Sequence, residues 1–330
     1  MSDFITGASK IDLHCHLDGS ISLPVMQELL ASIGESYPEQ ELRTLLQAPD
    51  DCTSLAQYLE RFALPIRCIQ TKTNLKKAAY GLAKDAAMEH VTYLETRFAP
   101  SFSTGEGLSV LEIVESVQEG LKQAEQEFQI KTGIIVCGMR HLPMETNLQM
   151  LKEARELYGA GVVACDLAGD EKAFLNAGFQ EFFTYAKKLE VPFTIHSGEC
   201  GSRDNIRDAI SFGAKRVGHG IAMSGDVGLM KLCAQKHIGV EMCPTSNLQT
   251  KAIRSWSEYP FREFYSHQVP ISINTDNRTV SGTNSTKEFE QLQQYCSITE
   301  EEIRKIYEWS VDMAFATDDI KHELLKKWGI

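Results

Sequence analysis

The chain has 330 residues, of which 43% are hydrophobic and 24% are charged. This composition is typical of a globular protein that buries a large core. The formal net charge is -12, and basic residues form only short pairs such as Lys76-Lys77. A nucleic-acid partner is therefore not expected, because phosphates need a basic surface, whereas a small neutral substrate is compatible with this charge. No apolar run approaches the roughly 18 residues of a membrane helix, so no membrane partner is expected.

The nine cysteines are scattered and form no CxxC pair. This pattern favours neither a disulfide framework nor a thiolate zinc site. The first ten residues are polar and lack the apolar stretch of a signal peptide. We therefore expect a cytoplasmic protein.

Short apolar and β-branched runs predict eight strands along the chain. They cover residues 10–16, 91–98, 130–139, 161–167, 192–196, 216–219, 239–243 and 269–274. Apolar residues at three- and four-residue spacing predict helices between them. Examples are residues 108–129, 148–158, 179–190 and 227–237. Strands that alternate with helices predict an α/β fold, most economically a (β/α)₈ TIM barrel.

One connection is long. Residues 20–90 contain several helical stretches between the first and second strands, which predicts a helical insertion after the first strand. In a barrel such an insertion lies at the carboxyl ends of the strands, where lids and binding loops are found. Residues 298–330 are expected to form closing helices. No linker divides the chain, so residues 1–330 are predicted to form a single domain.

The first strand ends in His14-Cys15-His16. Residues i and i+2 of a strand point to the same side, so both imidazoles face the same way. Neutral imidazoles are suitable ligands for zinc, although two histidines at a strand end are also compatible with a purely structural role.

Three later strands also end in polar residues: His196-Ser197-Gly198-Glu199, Gly218-His219-Gly220 and Asn274-Thr275-Asp276-Asn277. Each alone is compatible with an ordinary cap or loop. In a barrel, however, the carboxyl ends of all strands meet at one mouth. A nitrogen-and-oxygen shell for a zinc-like ion then forms from four side chains: His14, His16, His196 and Asp276. Such an ion lowers the pKa of a bound water toward neutrality, and Glu199 and His219 lie where protons must be moved.

These stretches resemble the adenosine deaminase family of the metal-dependent hydrolases, bacterial-type members in particular. The similar segments occur in the family's order, which makes the set specific although each alone is weak. They are His14-Cys15-His16-Leu17-Asp18-Gly19-Ser20, Asp166-Leu167-Ala168-Gly169-Asp170-Glu171, His196-Ser197-Gly198-Glu199, Gly218-His219-Gly220 and Asn274-Thr275-Asp276.

The resemblance implies hydrolytic deamination of adenosine, and of 2′-deoxyadenosine, to inosine and ammonia, with one Zn²⁺ per chain. It makes His14, His16, His196 and Asp276 the metal ligands. Glu199 would protonate purine N1, His219 would hold the attacking water and steady the tetrahedral intermediate, and Asp276 would also bond that water.

The resemblance also implies substrate contacts. Gly169 would donate its backbone N–H to purine N3, and Asp18 would bind a ribose hydroxyl. Tyr58, Leu59 and Phe62 fall where the family has an apolar lid helix, although an ordinary buried helix face predicts the same spacing.

One position departs from the family's usual pattern. Many members have two consecutive aspartates where this chain has Asp276-Asn277, and the second aspartate must be protonated to donate to purine N7. An asparagine amide is a permanent donor, so Asn277 can keep that contact. The change leaves the choice of aminopurine open.

Two alternatives follow. The first is a deaminase of another aminopurine, adenine or a modified adenosine, or an amide or ester hydrolase on the same metal scaffold. The second is a catalytically inactive barrel that binds nucleosides, although such a protein would tend to lose a metal ligand or the proton donor, and here all are present.

Of the other polar residues, His141 ends the third strand near the mouth, and Asp12 shares the inward face of His14. The sequence assigns neither a function.

Overall fold

The computed structural model describes residues 1–199 and 202–329. In this part of the chain eight parallel strands follow one another with helices between them. The strands are β1 Lys10–His16, β2 Val91–Phe98, β3 Lys131–Met139, β4 Val162–Ala168, β5 Thr194–Ser197, β6 Arg216–His219, β7 Gly239–Met242 and β8 Ile271–Ile273. Every residue of β2 and of β5 to β8 is buried. Burial on both faces is typical of parallel strands in a barrel, although these strands also carry buried charged residues such as Glu95, Arg97 and Glu241.

The strands form two four-stranded parallel sheets, β1 to β4 and β5 to β8. Single bridges join the sheets at both seams: Cys165 pairs with Phe193, and Cys15 pairs with Asp276. At the second seam the Asp276 N–H donates to the His14 carbonyl at 2.8 Å. The sheet therefore closes on itself, and the predicted (β/α)₈ barrel is confirmed.

Sixteen α-helices surround the barrel in the described ranges. They are α1 Ser2–Gly7, α2 Leu23–Ser32, α3 Glu39–Leu46, α4 Leu55–Leu59, α5 Ala63–Cys68, α6 Lys72–Ala87, α7 Val110–Glu127, α8 Met144–Ala154, α9 Gln180–Lys188, α10 Arg203–Phe212, α11 Val227–Lys236, α12 Pro244–Gln249, α13 Phe261–Ser266, α14 Ser285–Cys296, α15 Glu300–Met313 and α16 Asp318–Lys327. Helices α2 to α6 are the insertion after β1. No helix in the described ranges is both long and apolar enough to cross a membrane.

Capping residues define where the longer helices begin. Ser109 and Glu112 form a capping box at α7, and Thr299 and Glu302 form another at α15. Each box satisfies two backbone N–H groups that a helix start leaves without a partner. The apolar stripe of α7 then packs on the barrel with Ile113, Val117 and Leu121 buried.

The observed elements differ most from the predicted ones at one helix and one strand. Helix α1 was not predicted, because its six residues offer too short a pattern. Strand β8 is three residues long, because the chain after Ile273 turns toward the barrel mouth. Asp12 holds that turn: its carboxylate accepts a hydrogen bond from Thr275 Oγ1 at 2.6 Å, which ties β1 to the end of β8.

Candidate active site

Four side chains meet at the carboxyl ends of β1, β5 and β8. His16 Nε2 lies 3.2 Å from His196 Nε2. Asp276 Oδ1 lies 3.4 Å from His14 Nε2 and 3.5 Å from His16 Nε2. The structure therefore brings together all four residues that were predicted as metal ligands.

The arrangement fits a tetrahedral ion. Ligand atoms about 2.1 Å from a zinc ion are separated by about 3.4 Å at tetrahedral angles. The distances among His14, His16, His196 and Asp276 match that spacing. In addition, His14 Nε2 is buried and has no hydrogen-bond partner. A metal ion held by this set would satisfy that nitrogen.

Two further side chains lie within the same cluster. His219 and Cys243 each have an atom close enough to share an ion with members of the set. Burial, together with nearby Asp276 and Glu241, raises the pKa of the Cys243 thiol well above its ordinary value. Three imidazoles and one carboxylate form a nitrogen-and-oxygen set of the kind found at catalytic zinc sites, and their mutual distances make them the candidate metal site.

The protonation of these groups agrees with a role as ligands. Burial lowers the pKa of His16 well below its ordinary value. Burial alone would raise the pKa of Asp276, but His14, His219 and His16 hold it well below its usual range. A neutral imidazole at His16 and an ionised carboxylate at Asp276 are the forms that bind metals.

The backbone is unusual at two of these positions. His219 has a φ of 64° and Asp276 has a φ of 59°, both in the left-handed region. Non-glycine residues adopt this region rarely, and both of these positions lie at or just after the ends of barrel strands at the candidate site. Gly218, just before His219, lies against the ring of His14, and a Cβ there would stand 3.0 Å from His14 Cε1. The strand end therefore needs glycine to let the two imidazoles approach.

Glu199 and His219 face each other beside the four ligands. His219 Nε2 lies 3.8 Å from Glu199 Oε2, and both side chains are buried. The backbone N–H groups of Gly198 and Glu199 donate to the Glu171 carboxylate at 2.5 and 2.9 Å. Asn247 Nδ2 lies 2.9 Å from His219 Nδ1.

Glu171 and Asn247 were not predicted as site residues. Glu171 belongs to a segment that was singled out, whereas Asn247 had no signal.

A cavity of about 280 Å³ opens above this group. All six residues predicted to contact the substrate line it: Asp18, Tyr58, Leu59, Phe62, Gly169 and Asn277. Burial raises the pKa of Asp18 to about 6. His141 also lines the cavity, and its ring stacks on Phe102 with centroids 5.8 Å apart.

The three residues of the predicted lid helix differ in their surroundings. Tyr58 is buried and its hydroxyl is 2.6 Å from Ser281 Oγ, whereas Leu59 is 40% exposed. Phe62 is half-buried and its ring packs near that of Tyr58. The segment therefore has one anchored residue and an apolar edge at the cavity mouth.

Comparison with known proteins shows which family this chain belongs to. The adenosine deaminase family model matches residues 9–328. An adenosine deaminase from Clostridium botulinum is 41% identical over 321 residues, which cover 96% of this chain and 97% of that protein. The chain belongs to the adenosine deaminase family. This family member is therefore a hydrolytic deaminase, as the resemblance of its sequence motifs implied.

Solved structures show the same fold. The N6-methyl-AMP deaminase from Arabidopsis thaliana matches with a TM-score of 0.88 and 25% identity, covering 100% of this chain and 98% of that one. An amidohydrolase from Burkholderia ambifaria with bound Zn matches with a TM-score of 0.91 and 20% identity, covering 99% of this chain and 91% of that one. The second likeness concerns the fold alone.

Proposed function

We propose that this deaminase converts adenosine, and 2′-deoxyadenosine, to inosine and ammonia by adding water at purine C6. The observation that carries the proposal is the position of Glu199 and His219 beside four converging ligands at the base of a nucleoside-sized cavity. This is where a proton donor and a water-orienting imidazole are needed together.

One zinc ion is the cofactor in this proposal, held by His14, His16, His196 and Asp276. When bound, zinc lowers the pKa of a water in its open position, which makes a hydroxide nucleophile available at neutral pH. The convergence of those four side chains and the Zn bound by the Burkholderia amidohydrolase support this choice.

Glu199 is assigned the proton transfer to purine N1, which makes C6 electrophilic. His219 is assigned the contact with the attacking oxygen. His219 Nδ1 lies 2.9 Å from the Asn247 side-chain nitrogen, and we assign Nδ1 as the acceptor of that contact, which puts the ring proton on Nε2. That proton can stabilise negative charge on the oxygen as it adds to C6. The Asp276 carboxylate accepts a hydrogen bond from the same oxygen.

The remaining side chains are assigned to substrate binding. Gly169 donates its N–H to purine N3, Asn277 donates its amide to N7, and Asp18 accepts from a ribose hydroxyl. Tyr58, Leu59 and Phe62 cover the purine. Their shared position around one cavity supports these assignments.

The cavity favours a nucleoside over a nucleotide. Among the described residues that line it there is no lysine or arginine, whereas Asp18 and Asp170 are both present. A 5′-phosphate inside the cavity would meet these carboxylates with no cation among the lining residues. Basic side chains occur in the adjoining cleft, which shares Asp170 and Glu199 with the cavity. They are Lys172, Arg203, Lys251 and Arg254. AMP is therefore included in the test below.

The direct test is incubation of the zinc-loaded protein with adenosine, 2′-deoxyadenosine, adenine and AMP, with the absorbance change on deamination as the readout. We expect fast turnover of both nucleosides, little or none of AMP, and loss of activity on chelation. Zinc-loaded protein that turned over only adenine or AMP would overturn the choice of substrate.

A further inference from the structure

A group of charged side chains lies inside the barrel, directly beneath the metal-binding residues, and has no part in the mechanism above. We call it the inner ionic cluster, and all its side chains are fully buried. Its members come from β2, β4, β6 and β7 and are Glu95, Arg97, Asp166, Arg216 and Glu241. Burying so many charges is expensive, so their arrangement needs an explanation.

Two of these carboxylates contact metal-ligating histidines. Glu241 Oε2 lies 2.7 Å from His14 Nδ1, and Asp166 Oδ2 lies 2.8 Å from His196 Nδ1. A carboxylate at Nδ1 keeps the ring proton on that nitrogen and leaves Nε2 free to bind a metal. The Glu241 contact has hydrogen-bond geometry and so selects the tautomer of His14 that a metal ligand needs. Asp166 lies at ion-pair distance from His196 Nδ1 and favours the matching ring orientation.

One guanidinium joins both carboxylates. Arg97 Nη1 donates to Asp166 Oδ2 at 2.9 Å, and Arg97 Nη2 donates to Glu241 Oε2 at 2.9 Å. These are the same two oxygen atoms that face the histidines. Arg97 Nη2 also donates to the carbonyl of Leu13, the residue before His14, at 2.6 Å.

We propose that Arg97 is a positioning residue that orients His14 and His196 together, through Glu241 and Asp166, and so sets the affinity of the site for its metal. The inference rests on the proposed assignment of His14 and His196 as ligands. A guanidinium suits this task because its donors lie in one rigid plane. A lysine ammonium is a single flexible point and cannot hold both carboxylates and the Leu13 carbonyl in that geometry.

The cluster supplies a matched control. Glu95, like Glu241, is fully buried and accepts a hydrogen bond from Arg216. Its other partners are the Tyr93 hydroxyl and the Phe315 N–H. Neither is a histidine or a metal ligand. Changing Glu95 to glutamine thus removes the same charge from the same cluster without touching the proposed route to the metal.

The experiment compares Arg97→Lys, Glu241→Gln and Glu95→Gln with the unaltered full chain. The zinc dissociation constant is measured by competition with a fluorescent chelator, and the visible absorption of the Co²⁺-substituted protein reports ligand geometry. We expect Arg97→Lys and Glu241→Gln to weaken zinc binding by roughly 10- to 100-fold and to alter the Co²⁺ spectrum. Glu95→Gln should leave both near the unaltered values.

Zinc affinity in Arg97→Lys equal to that of the unaltered protein would overturn the proposal. So would an equal loss in Glu95→Gln and Glu241→Gln, because it would mean a general effect of charge in the barrel. If Arg97→Lys fails to fold, the two glutamine variants decide. Adenosine turnover is measured on the same samples: zinc-bound but inactive unaltered protein would refute the proposed substrate and leave the role of Arg97 standing.

Discussion

Glu199 is held in place through its backbone. The N–H groups of Gly198 and Glu199 both donate to Glu171, which leaves the Glu199 carboxyl free to face the cavity and His219. A proton donor must reach its substrate without being tied up by a strong partner of its own. The backbone N–H of Glu199 therefore holds the residue in place, and its carboxyl group is left for the proposed proton transfer.

This separation predicts the effect of Glu199→Gln. The amide keeps the shape of the side chain but cannot give purine N1 a proton, so we expect kcat to fall by about 10²- to 10⁴-fold. Zinc content should stay at one ion per chain, since Glu199 is not assigned as a ligand. Steady-state kinetics and metal analysis check both points, and near-normal turnover would refute the assignment.

Asn277 gives a second prediction about a single residue. It is buried beside Asp276 and lines the cavity. In Asn277→Asp a carboxyl must be protonated to donate to purine N7, whereas the amide donates at every pH. We expect kcat/KM of the variant to fall as pH rises from mildly acidic to mildly alkaline, relative to the unaltered protein. Parallel pH profiles for the two proteins would contradict the assigned N7 contact.

Helix α12 illustrates how an element supports the site. It carries Asn247, which contacts His219, and its first turn is anchored by Glu288 of α14. Glu288 accepts from the Thr245 N–H at 3.1 Å and from the Thr283 hydroxyl at 2.5 Å. Burial raises the pKa of Glu288 from 4.5 to about 7. The anchor is therefore a carboxyl group that is costly to ionise.

The raised pKa of Glu288 predicts a pH effect on stability. The folded state holds this proton more tightly than the unfolded state, so the stability that it contributes is full below pH 4.5 and is lost as pH rises to about 7. A glutamine keeps the hydrogen bonds without ionising. We expect Glu288→Gln to match the unaltered protein in acid and to exceed it above neutrality, by on the order of 3 kcal/mol or roughly 5 °C in Tm.

Thermal unfolding of both proteins across this pH range checks the Glu288 prediction. A constant difference in Tm at every pH would show that Glu288 does not titrate in that window. Zinc should be present in both samples, because its binding also depends on pH.

For the whole molecule, the proposed metal site spans the seam of the barrel. Its proposed ligands come from β1 in the first sheet and from β5 and the end of β8 in the second. The backbones of the two sheets are joined by single bridges at the seams, and buried side-chain contacts such as Arg97–Glu241 also connect them. In the proposed assignment a bound ion adds a further link between the two halves of the barrel. That residues 1–330 form a single domain stays a prediction.

This position predicts that metal removal destabilises the whole barrel. Zinc at about 1,000 times its dissociation constant stabilises the folded state by about 4 kcal/mol. For a chain of this length that is roughly 6 °C in Tm. We expect a strong chelator to lower Tm by about this much in the unaltered protein and to have no effect on His196→Ala, whose site should be empty. An equal effect on both proteins would mean that the ion is bound elsewhere.

Much of the fold and of the candidate site could be predicted, because the signals for them lie in short segments of the sequence. The starts and ends of β1, β2 and β6 follow directly from short apolar runs. The four proposed ligands follow from strand ends that converge in a barrel. The ordered motifs then led to the family. Helix α1 was not predicted because its six residues offer too short a pattern, and β8 was predicted too long because its end depends on contacts with the distant β1.

The sequence by itself therefore determined the order of elements, the barrel, the family and the residues to which the chemistry is assigned. These depend on periodicity and on side-chain types, which are properties of short segments. Only the tertiary structure showed that Arg97 joins Asp166 and Glu241, the latter 144 positions away, and that Asn247 faces His219. Those contacts have no local signature, because the free energy of a buried charge depends on which partners the fold places around it.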